Sequence, residues 1–117
     1  MAYSKINIKQ ILESYSAHKK YINSIDYAKT YFGLEIDERI NDDIALRLRM
    51  VANIDLIVDY LPPSDEHTLL VLHYLKNIPV EKCAECLNIS TRTCYRLLDK
   101  ALVLLTHKLS GVNNFVV

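Results

Sequence analysis

"NISTRTCYRLLDKAL", residues 88–102, sets an asparagine, a serine and two threonines, then two arginines, ahead of a steady run of leucines. The hydroxyls suit a helix start, because an N-cap side chain accepts a hydrogen bond from an otherwise unpartnered backbone N–H. The arginines do not. The helix macrodipole disfavours cations in the first turns, and Arg92 and Arg96 stand there. Their placement is therefore a question about function.

The residues upstream show what this helix follows. In "LPPSDEH", Pro62 and Pro63 stop a preceding helix, and Ser64 caps a new one with Asp65 and Glu66 in its first turn. That helix is predicted over about residues 65–76, with Leu69, Leu72 and Leu75 or Tyr74 turned inward. "KNIPV" ends it, and Pro79 suits the start of the short helix "VEKCAECL". Asn88 tolerates a left-handed backbone and can turn the chain sharply, Ile89 plugs the corner, and Ser90 caps the next helix. Short helix, tight turn and long helix form a helix-turn-helix. Its core is expected at Cys83, Ala84 and Leu87, at Ile89 in the turn, and at Cys94 and Leu98, with Ala101 and Leu105 continuing the inner stripe. Ala84 fits the close approach of two steeply crossing helices.

With the inner face assigned, the arginines have a use. Thr91, Arg92, Tyr95, Arg96, Asp99 and Lys100 fall outside or at the margin, and Arg92, Arg96 and Lys100 recur every four residues. In the major groove, arginine reads guanine and the first-turn amides meet a phosphate. A dipole penalty of a fraction of a kcal/mol is offset by about 1 to 3 kcal/mol of base discrimination for a bidentate contact. The expected DNA-binding set is Ser90, Thr91, Arg92, Thr93, Tyr95, Arg96 and Lys100, with double-stranded DNA as ligand.

Residues 61–105 resemble the region 4 helix-turn-helix of bacterial sigma factors and of small phage regulators of the ArpU and RinA type. In that pattern an apolar helix precedes "E-x-I-A-x-x-L-G-I-S-x-x-T-V". Glu81, Ala84, Leu87, Ile89, Ser90 and Thr93 stand at the matching places, while Cys83 replaces Ile, Cys94 replaces Val and Asn88 replaces Gly. The resemblance implies a sequence-specific, phage-type transcriptional regulator that binds promoter-proximal duplex DNA, with RNA polymerase as a further partner. Residues 1–60 show no core-promoter-reading region of a working sigma factor.

The chain as a whole carries no surplus of positive charge: 14 Lys and Arg stand against 14 Asp and Glu. By region the balance is eight to nine over residues 1–59 and six to five over 60–117. A non-specific nucleic-acid coat needs a larger excess, since each phosphate contact takes a cation. Any DNA role must rest on local placement. Neutrality also keeps a second class open: a helical adaptor or anti-factor that binds polymerase or another regulator without reading DNA.

The N-terminal half is predicted helical, so the expected fold class is all-α: a helical segment at 1–60, a helix-turn-helix domain at 61–110, and a flexible tail at 111–117. Residues 5–29 are amphipathic, with a join near "SAHKKY" left open. "YFGLEIDERINDD" reads as a connection, after which Asn41 or Asp42 caps a helix over 43–61. Its buried stripe is expected at Ile44, Leu48, Val51, Ile54, Val58 and Leu61, broadened by Ala45, Leu46, Ala52 and Leu56. That is more apolar surface than a small neighbouring module needs. A homodimer on a two-fold site follows as an expectation, because one helix-turn-helix has few contacts.

Other chemistries find little support. No run of about eighteen apolar residues and no signal-peptide pattern occur, so a cytoplasmic protein without a membrane partner is expected. Cys83, Cys86 and Cys94 are too crowded for an extracellular disulfide framework. Cys83 and Cys86 have zinc-like spacing, with His67, His73, His107 and Cys94 as imaginable further ligands. Cys83 and Cys94 read better as small core hydrophobes, and no metal or cofactor is expected. Without a Gly-rich phosphate loop, serine elbow or histidine-aspartate arrangement, an enzyme is not expected. Most of the eight tyrosines should straddle core and solvent.

Overall fold

Ser4 opens the first helix by a reciprocal cap: its Oγ accepts the Asn7 N–H at 3.1 Å, and Asn7 Oδ1 accepts the Ser4 N–H at 3.4 Å. The computed structural model describes residues 4–110, and every regular element among them is helical. The expected tail at 111–117 lies outside the described residues.

Helix α1 spans Lys5–Phe32 without a break, so the join near "SAHKKY" is absent. No glycine or proline occurs within it to interrupt the hydrogen-bond ladder. Gly33 ends it in the left-handed region, at φ 66°, where the lack of a side chain removes the steric penalty.

Helix α2, Glu38–Val58, starts earlier than expected. Asp37 is the cap, its carboxylate accepting the Ile40 N–H at 2.9 Å, and Glu38 follows in the favourable first turn. The acidic run read as a connection is thus mostly the opening of a helix. Its inner stripe is also shorter than expected. Val51, Ile54, Val58 and Leu61 are buried, Ile44 is half-buried, and Leu48, Leu46 and Leu56 are exposed, while Ile57 joins the core instead.

Ser64 caps helix α3, Asp65–Leu70, accepting the His67 N–H at 3.1 Å. The expected single helix over 65–76 widens into a π turn at Val71–Leu75, where the Lys76 N–H reaches back five residues to the Val71 carbonyl at 2.9 Å. Leu69, Leu70 and Tyr74 are buried there, and Leu72 and Leu75 only partly. Asn77, left-handed at φ 57°, turns the chain into helix α4, Val80–Leu87, and helix α5, Thr91–Lys108, completes the order.

One apolar cluster draws on all five helices. Ile8, Leu12 and Tyr15 of α1 and the second half of α2 pack with Leu69, Leu70, Cys83, Cys94, Leu98 and Leu105. Between Tyr15 and Val51, no residue is buried. The core lies at the α3–α5 end, and the α1–α2 hairpin runs out from it. No helix of the described residues is long and apolar enough to cross a membrane.

Candidate nucleic-acid interface

Residues 88–90 join α4 to α5. Asn88 adopts φ 55° and ψ 48°, donating its N–H to the Glu85 carbonyl at 3.1 Å, while the Ile89 N–H donates to the Ala84 carbonyl at 3.0 Å. These bonds satisfy carbonyls that a helix end leaves unpaired. Ala84 is buried, and Leu87 and Ile89 are half-buried. Cys83, Cys94 and Leu98 face inward under the turn. The arrangement is compatible with a helix-turn-helix.

Both inner cysteines are protonated packing groups. Burial pushes the Cys83 thiol up, with neighbouring Cys94 and Cys86 adding to it; burial and then Glu81 raise that of Cys94. Cys83 Sγ donates to the Ile78 carbonyl at 3.5 Å. Cys86 is exposed, so the two ends of "CAEC" meet different surroundings. Among the described residues no three His, Cys, Asp or Glu side chains gather as metal ligands.

Ser90 and Thr93, both in the expected DNA-binding set, serve the helix start. Ser90 Oγ accepts the Thr93 N–H at 3.1 Å and donates to Thr93 Oγ1 at 2.9 Å. Thr91, Arg92, Tyr95 and Arg96 are exposed on the first turns, and Arg92 and Arg96 make no ion pair among the described residues. No acidic residue occupies the first turn of α5, whereas α2, α3 and α4 each carry at least one there.

Lys100 is placed differently from the two arginines. Its Nζ lies 3.2 Å from Glu66 on α3. Hydrogen bonding to its own backbone N–H, then to Lys100 and Ser64, holds the Glu66 carboxyl below the usual glutamate range, although desolvation opposes the shift. The cationic row at 92, 96 and 100 therefore consists of two unengaged arginines and one lysine tied to α3.

Lys5 is the residue that sequence reasoning missed. Its Nζ lies 2.7 Å from Asp99 Oδ1, across 94 positions of chain. The pair neutralises Asp99, the one acidic residue of α5, which follows the two arginines in the third turn. It also brings the start of α1 beside α5, where Lys5, Lys9, Tyr95, Leu98, Asp99 and Leu102 line part of a groove of about 570 Å³. No signal in sequence announces a contact between residues so far apart.

No family model, curated protein or solved structure matches the chain.

Proposed function

We propose that the protein is a sequence-specific regulator of transcription that reads duplex DNA with the start of α5. The observation that carries this reading is the pair Arg92 and Arg96, exposed on the first turns of a capped helix, where the macrodipole disfavours cations and no ion pair among the described residues offsets it. Set in a major groove, both guanidinium groups face base edges and the first-turn amides face a phosphate. Lys5 removes the repulsion that Asp99 would exert on the backbone.

Thr91 and Tyr95 flank the arginines and supply further contacts, while Ser90 and Thr93 act by fixing the helix start. The partners that follow are double-stranded DNA, a second copy on a two-fold site, and RNA polymerase in line with the sigma region 4 and phage-regulator resemblance. A gel shift on random and enriched duplexes at two salt concentrations tests this directly. Salt-dependent binding with a preference for the enriched duplex supports the reading, and absence of any duplex binding removes it.

The balance of 14 basic and 14 acidic residues favours a second reading. In it, the helical body is an adaptor or anti-factor that occupies RNA polymerase or another regulator without touching DNA.

A further inference from the structure

From residue 16 to residue 50 no side chain is buried, although α1 and α2 pack against each other along this stretch. Two helices make only one seam. Without a third layer, each leaves part of its apolar surface in water, and helices draw most of their stability from such packing. On α2, Ala45, Leu48, Ala52 and Leu56 fall three or four apart on one exposed stripe; Leu48 is 51% and Leu56 55% exposed. At the end of α1, Tyr27 packs on Tyr31 and Phe32 with ring centroids 4.7 and 5.8 Å apart, and Phe32 is 76% exposed.

Charge along the hairpin is segregated. The outer part of α1 carries Lys19, Lys20 and Lys29, with Asp26 as the exception; the tip and the start of α2 carry Glu35, Asp37, Glu38, Asp42 and Asp43, with Arg39 as the exception. Asp37 caps α2 and Asp43 accepts from the Tyr21 hydroxyl, yet no ion pair links the two sets among the described residues.

We propose that this hairpin is an interface for a second copy of the chain, two-fold related and overlapped so that the acidic tip of each lies along Lys19 and Lys20 of the other. Those lysines stand about 20 Å back from the end of α1, at 1.5 Å per helical residue, which sets the overlap. A second copy fits because one patch carries both signs at different ends, and a two-fold axis sets each end against its opposite. A partner of one sign would satisfy half the surface and be repelled by the rest. Four helices then build the core that two lack. This inference deepens the pairing assigned under the proposed function, and it is tested without DNA so that the two fail separately.

Sedimentation of the full chain from about 1 to 100 µM, where mass action governs assembly, is the measurement. The mass should approach twice 13.5 kDa as concentration rises. Leu48→Glu with Leu56→Glu should weaken association at least about tenfold while helicity is kept, since both side chains are more than half exposed in a single chain. Lys19→Glu with Lys20→Glu should also give a monomer, as should Glu35→Lys with Asp42→Lys, and mixing those two proteins should restore a one-to-one dimer. A single-chain mass throughout, a dimer indifferent to the Leu48 and Leu56 changes, or no recovery on mixing overturns the inference. A monomer that still shifts duplex DNA would overturn the interface alone; a dimer that binds no duplex would overturn the DNA reading alone.

Discussion

The turn at Asn88 and the turn at Gly33 are built alike, each joining two helices through a left-handed residue, yet they differ in what surrounds them. Around Asn88 the inward side chains of α4 and α5 are closed off by α1, α3 and the π turn; around Gly33 the facing helices meet only each other. The apolar content is not what separates them. The stripe of Ala45, Leu48, Ala52 and Leu56 steps by three or four residues, as does that of Cys94, Leu98, Ala101 and Leu105, and one is exposed while the other is buried. Periodicity measures what a helix could bury, and a third partner decides what it does bury.

Paired substitutions sharpen this contrast. The largest effect is expected at Leu98→Ala, which should lower stability by about 2 to 5 kcal/mol through lost burial and a residual cavity. Leu48→Ala should stay within about 0.5 kcal/mol in the single chain, as for other surface positions. Urea melts at a concentration that keeps chains apart check both, and equal losses would break the contrast. Next comes overpacking: Ala84→Leu should cost about 1 to 3 kcal/mol, because Ala84 is buried in the core cluster. Ala52→Leu, on the exposed stripe, should be nearly neutral in the same melts. Asn88→Ala follows, with about 1 to 2 kcal/mol lost because an ordinary L-residue resists φ 55°; an unchanged melt would mean that the turn adopts another conformation.

The smallest effect is a pH dependence at Glu66. Its carboxyl titrates lower in the folded chain than in the unfolded one, so its contribution is complete above the ordinary glutamate range and fades as pH falls through the folded value. Glu66→Gln should therefore melt below the parent at neutral pH, and the gap should close on acidification. Thermal melts across that range check it, and a gap that widens in acid would refute the pairing with Lys100 and the backbone.

What could be read from sequence was mostly local. Ser64, Ser90 and Asn88 announced helix ends by their own capping chemistry, and each sits in that role. The start of α2 was misplaced because Asp37, Asn41 and Asp42 are all competent caps, and nothing within a few residues chooses among them. The π turn left no local mark either. Within it Tyr74 is buried and His73 Nδ1 lies 2.8 Å from the Ile78 carbonyl, tertiary placements that spacing does not mark. At the candidate interface, the inner and outer faces of α5 followed from spacing alone. The pairs Lys5 with Asp99 and Glu66 with Lys100 did not, since both depend on how distant segments pack. Those pairs decide which cations near α5 remain unengaged, and so on which residues the proposed DNA reading rests.

Competition binding with Arg92→Ala and Arg96→Ala, using an enriched duplex against a scrambled one, decides whether the start of α5 reads DNA. Each substitution should leave circular dichroism and melting unchanged, because both side chains are exposed and make no ion pair among the described residues. Each should also lose about 1 to 3 kcal/mol of binding to the enriched duplex and relax the preference for it. Lys100→Ala, with its lysine tied to Glu66, should at most weaken both duplexes alike. If both arginine variants hold the enriched duplex as tightly and as selectively as the parent, the start of α5 does not read DNA, and the adaptor reading takes its place.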